Sequence, residues 1–106
     1  MNARIVRLKE LLKQSPKDSF VLFALAKEFE KLGDFNKAID YLINLINESP
    51  DYVGAYYHLA ALYKTIEQND KAMDVYKNGM EIAQKVGDRH AYSELQNAKM
   101  NLEIEL

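Results

Sequence analysis

The chain has 106 residues, 48% of them apolar and 28% charged, which is enough for one folded domain and unlike the composition of a disordered tail. A formal net charge of -2 and a pI near 5.7 lack the basic footprint expected of a nucleic-acid binder. The absence of cysteine excludes disulfide frameworks and thiolate metal sites.

Residues 3–14 carry the first helical pattern, with Ile5, Leu8, Leu11 and Leu12 on one face. The apolar run there is short and is broken by Arg7 and Lys9, so it reads as neither a signal peptide nor a membrane span. A cytoplasmic protein with no membrane partner is expected. Arg4, Arg7, Lys9, Lys13 and Lys17 outnumber Glu10, but they are spread among apolar positions and read as a solvated face, not an anion site. Ser15-Pro16 stops the helix. Asp18 or Ser19 caps the second, whose stripe is Leu22, Leu25, Ala26 and Phe29.

Gly33 suits the left-handed turn that ends the second helix, and Asp34 caps the third. Phe35, Ala38, Ile39, Leu42, Leu45 and Ile46 recur there at the spacing of a single buried stripe, and Pro50 closes it. Asp51 is expected to start a fourth helix bearing Tyr56, Leu59, Ala60 and Tyr63. A turn at Glu67-Gln68-Asn69 leads to a fifth with Ala72, Met73, Tyr76, Met80 and Ala83. Gly87-Asp88 repeats the stop-and-cap signal before a sixth, from about Arg89, with Tyr92, Leu95, Ala98 and Leu102. No stretch alternates at the strand period, so the fold class is all-α.

The helices repeat. Pro16 and Pro50 are 34 residues apart, and the same step carries Ile5 to Ile39 to Met73, Leu8 to Leu42 to Tyr76, and Leu12 to Ile46 to Met80. It also carries Leu22 to Tyr56, Leu25 to Leu59, Ala26 to Ala60 and Phe29 to Tyr63. A fixed period of this size marks an array in which each unit buries its stripe against the next.

This step and the residues that obey it resemble the tetratricopeptide repeat (TPR) family. Leu22, Leu25-Ala26, Phe29, Gly33-Asp34-Phe35, Ala38, Leu42 and Pro50 match one repeat over 19–52; Tyr56, Leu59-Ala60, Tyr63, Ala72 and Tyr76 match a second over 53–86. Residues 3–18 resemble the second helix of a preceding repeat, and 88–106 the helix that covers an open end. The resemblance implies a single domain over 1–106, an α-solenoid of antiparallel helix pairs wound into a right-handed superhelix.

The same register marks the departures. Small residues at Ala26, Ala60, Ala38 and Ala72 suit close helix crossings, and Gly79, which costs about 1 kcal/mol relative to alanine in a helix, suits one where the next helix presses in. Glu67-Gln68-Asn69 replaces the Gly-Asp-aromatic turn, so a looser second hairpin is expected. Gln84 stands where a third proline would fall, so the fifth helix should run on to Lys85 or Val86. Ser93 and Glu94 replace the Leu-Ala pairs, making the last helix a cap. Arg4 stands in place of Ala38 and Ala72.

No phosphate loop, dinucleotide fingerprint, nucleophile elbow or metalloprotease motif is present, and His58 and His90 have no third ligand at a fixed spacing. No enzyme, metal or cofactor is expected. Tyr56, Tyr63 and Tyr76, with Met73, Met80 and Met100, read as core. What remains is surface. The resemblance implies a concave groove lined by the first helix of each repeat. Phe20, Phe23, Ala24, Lys27 and Lys31 point off one stripe, and Tyr57, His58, Ala61 and Lys64 off the next. Rings beside ammonium groups suit a protein or peptide ligand, the rings taking apolar side chains and the lysines carboxylates. Phe20 and Phe23 have a second reading, packing on the first helix. Some family members grip a C-terminal carboxylate with a Lys, Asn and Arg set; this chain shows Lys27 and Lys64 but no matching asparagines, so that activity is not carried over. The alternative is a structural role as a homodimer, because the unpreceded first helix leaves Ile5, Val6 or Leu12 partly bare.

Overall fold

The computed structural model describes residues 2–106. Among them there are six helices and no strand: α1 (Ala3–Gln14), α2 (Ser19–Lys31), α3 (Phe35–Glu48), α4 (Val53–Thr65), α5 (Asn69–Val86) and α6 (Arg89–Glu105). Four starts are set by side-chain caps, in which Asn2, Asp18, Asp34 and Asp88 accept from the backbone N–H of Ile5, Val21, Lys37 and Ala91. The fourth helix corrects an expectation. It starts at Val53 and not at Asp51: the boundary residue is Tyr52, and no side chain caps α4. The aspartate comes too early to reach the first free N–H groups, and lies 3.9 Å from Lys85 instead. The Tyr56 hydroxyl ties down the approach by donating to the Pro50 carbonyl at 2.6 Å.

The chain divides into two compact units, Met1–Ser49 and Pro50–Leu106. In the first, α1 and α3 both pack on α2. Their shared core holds Ile5, Leu8, Leu22, Leu25, Ala26, Phe29, Ala38, Ile39, Leu42 and Leu45. Burying each of the large aliphatic side chains contributes about 1.5–3 kcal/mol. The Ser19 and Ser49 hydroxyls meet at 2.6 Å, joining the start of α2 to the end of α3 as an antiparallel pair requires. Phe29 stacks on Tyr41 with centroids 5.6 Å apart, and the Lys9 and Lys37 ammonium groups lie 5.6 and 5.3 Å from its ring. On α1 the apolar face is covered at Ile5, while Val6 stays 38% exposed and Leu12 is half-buried.

In the second unit α5 packs against both α4 and α6. Gly79 is the crossing point: a β-carbon there would lie 2.7 Å from Tyr56 Cβ and 3.1 Å from Leu95 Cδ1. The fifth helix runs to Val86, and Gly87 ends it in the left-handed conformation at φ 79°. The turn into α5 is not looser in shape than its counterpart. Glu67 takes the left-handed conformation (φ 62°) that Gly33 takes (φ 77°). Its N–H donates to the Lys64 carbonyl, and the Gln68 N–H to the Tyr63 carbonyl, as Gly33 and Asp34 do to Glu30 and Phe29. Met100 corrects a second expectation: it is 52% exposed, because α6 buries the line of Leu95 and Leu102, two turns apart, and Met100 falls off that line.

Candidate functional site

On α2 the stripe of Leu22, Leu25, Ala26 and Phe29 is turned inward, which forces the intervening residues outward. Phe20 is 75% exposed. Phe23 and Lys27 are half-buried. Lys31 is drawn along its own helix to Glu28, Nζ to Oε2 at 3.2 Å. Lys27 forms no ion pair among the described residues.

On α4 the buried residues Tyr56, Leu59, Ala60 and Leu62 likewise leave Tyr57, Ala61, Lys64 and Thr65 on another side. These four line a hollow of about 610 Å³, completed by Tyr76 of α5 and by Ala98, Asn101, Ile104 and Glu105 of α6. The Tyr57 ring meets Tyr76 edge-on with centroids 6.4 Å apart, and stands edge-on to His58 at 6.1 Å. Burial, then the neighbouring Tyr57 and Glu105, push the Tyr76 hydroxyl above its usual range, so it stays protonated. Lys64 is the one cation lining the hollow among the described residues. Its Nζ sits 3.0 and 3.2 Å from the two carboxylate oxygens of Glu105. The arrangement offers rings for an apolar side chain and one ammonium group for an acid, and it holds no nucleophile with a base beside it.

Of the residues expected from sequence, Tyr57 and Lys64 share this hollow and His58 lies beside it, while Phe20, Phe23, Lys27 and Lys31 lie on α2. Sequence reasoning missed Asn101, Ile104 and Glu105, because only the packing of α6 brings them to α4. It also missed Glu28, a 6% exposed carboxylate bonded to Lys31 and 3.3 Å from Arg4 Nε. A signal existed: the 34-residue step places Glu28 where Leu62 stands, and Arg4 where alanines stand. Burial alone would raise the Glu28 carboxyl, but Lys31 and Arg4 outweigh it and hold it below its ordinary value.

Among the described residues no three His, Cys, Asp or Glu side chains are grouped to hold a metal, and no helix is long and apolar enough to cross a membrane. His90 is exposed, with Nε2 3.1 Å from Glu94 of its own helix.

A family model described as "Tetratricopeptide repeat" matches residues 29–98. Among solved structures, a tetratricopeptide repeat domain protein from Salinibacter ruber is 41% identical, covering 81% of this chain and 96% of that one at a TM-score of 0.75. A protein from Bordetella parapertussis is 26% identical, covering 99% and 91% at a TM-score of 0.84. The TPR2B domain of yeast Sti1, in complex with pHsp70, shares the fold at 19% identity and a TM-score of 0.87, covering 96% and 82%. No curated protein matches the chain.

Proposed function

The chain belongs to the tetratricopeptide repeat family, and from that premise we propose that it is a non-enzymatic interaction module binding an acidic peptide or protein segment. The carrying observation is the hollow of the second unit, where the Tyr57 and Tyr76 rings lie beside Lys64. An apolar ligand side chain gains by covering the Tyr57 ring and Ala61, and an adjacent carboxylate gains the Lys64 ammonium as a charge-assisted partner. That a fold relative, yeast Sti1, is seen in complex with pHsp70 supports this use of the fold. Phe20, Phe23, Lys27 and Lys31 on α2 are proposed as ligand contacts of the first unit in their own right, and His58 on α4 as a contact of the second. Selection of ligands from a displayed random-octapeptide library, followed by calorimetry, tests the reading. Tyr57→Ala and Lys64→Glu should each weaken the selected peptides about tenfold, the loss of about 1.4 kcal/mol of contact. Peptides bound equally well by both variants would show that the hollow is not where ligands sit.

A second reading, self-association, rests on Val6, 38% exposed on α1 beside half-buried Leu12. Sedimentation at tens of micromolar tests it. A dimer dissociated by Val6→Lys supports it, and a monomer rejects it.

A further inference from the structure

We propose that Glu105 is a built-in competitor for the hollow, holding against Lys64 the carboxylate that an acidic ligand would otherwise present. The inference rests on the peptide-binding reading above and adds a regulator to it. Three observations carry it. Both Glu105 oxygens lie within 3.2 Å of Lys64 Nζ, so the ammonium is engaged in the same manner as by a ligand carboxylate. Lys64 has no other carboxylate partner among the described residues, and no second cation lines the hollow, so Glu105 and an acidic ligand compete for a single charge. Ile104, which precedes Glu105 and lines the same rim, is 79% exposed and adds little to hold the turn in place.

The pair joins residues 41 positions apart, on α4 and α6, so it also fastens the last turn of α6 to the ligand-facing side of α4. Lys64 is 41% and Glu105 53% exposed in their side chains. An ion pair so open to water is weak, about 0.4–1 kcal/mol, which makes it a threshold and not a lock. An acidic side chain displaces Glu105 at a loss of about two- to fivefold in affinity. A neutral ligand pays no such penalty, so the device discounts acidic ligands selectively and more strongly at low ionic strength.

The test pans the random-octapeptide library separately against the wild-type chain and Glu105→Gln, then measures each selected peptide, and its Asp/Glu-to-Asn/Gln counterpart, on both proteins and on Lys64→Gln. Acidic peptides should bind Glu105→Gln about two- to fivefold more tightly than wild type, neutral counterparts equally, and Lys64→Gln should erase the difference. Far-ultraviolet circular dichroism shows whether α6 survives the substitution, and Glu103→Gln, two residues back and paired with Lys99 instead of Lys64, is the control for loss of a charge. Equal binding by wild type and Glu105→Gln, with Tyr57→Ala still weakening it, overturns the competitor while leaving the peptide site intact. Binding indifferent to both Tyr57→Ala and Lys64→Glu, or no bound peptide at all, overturns both.

Discussion

The backbone of Gly79 runs so close to Tyr56 that a β-carbon on the glycine would fall 2.7 Å from the tyrosine's own. No side chain can be inserted at that distance without moving α4 from α5, and the Leu95 side offers no relief, since Leu95 Cδ1 and Cδ2 would stand at 3.1 and 3.2 Å.

Gly79→Ala therefore opposes two effects. Helix propensity favours alanine by about 1 kcal/mol. Overpacking a buried crossing costs about 1–3 kcal/mol, and here the obstacle is a β-carbon fixed to its backbone. The expected result is net destabilisation, with a fall in Tm of about 4–8 °C for each kcal/mol lost. A thermal melt showing a rise would mean the crossing is looser than it stands here.

At the turn into α5 the opposite change should help. Glu67 holds φ 62°, a conformation that costs a side-chain-bearing residue about 1 kcal/mol and glycine almost nothing. Glu67→Gly should raise stability by up to about 1 kcal/mol, read as a higher urea midpoint at unchanged slope. Gln68→Asp should add to it, because Gln68 (φ -98°, ψ 67°) has nearly the backbone of the capping Asp34 (φ -88°, ψ 75°) yet makes no cap bond.

Tyr56→Phe keeps the buried ring and removes only the hydroxyl that donates to the Pro50 carbonyl. The loss should be about 1 kcal/mol, and it should fall on the start of α4, which has no side-chain cap. Hydrogen exchange at the first amides of α4 would show faster opening there than in α5. Uniform acceleration across the second unit would contradict the assignment.

Glu28 predicts a pH signature. Its folded carboxyl lies below the ordinary value of 4.5, so the native state favours the ionised form. Its contribution is present in full above that ordinary value and is lost as pH falls through the depressed folded value. Glu28→Gln lacks this contribution, so wild type should exceed the variant in stability at neutral pH and lose that advantage in acid. Urea titrations at pH 7 and below pH 4 measure this, and a gap that is constant with pH would remove the Arg4–Glu28–Lys31 cluster from the account.

Local chemistry was enough to read the helices from the chain. The aspartates at 18, 34 and 88 cap them, the glycines at 33 and 87 end two of them, and the apolar stripes are spaced for one buried face each. These act within a turn or two of backbone, so they are legible without neighbours. The family resemblance was legible for the same reason, as a register of stripes and small residues. The start of α4 falls two residues after Asp51 and has no side-chain cap, and a long-reaching Tyr56 hydroxyl ties down the approach. Packing alone decided the rest. It buried Glu28 against two cations, left Met100 in water and brought Asn101 and Glu105 of α6 beside Tyr57 and Lys64 of α4. Those pairings depend on how helices distant in sequence cross, and a crossing is set by the fit of whole surfaces, which no single stretch of residues encodes.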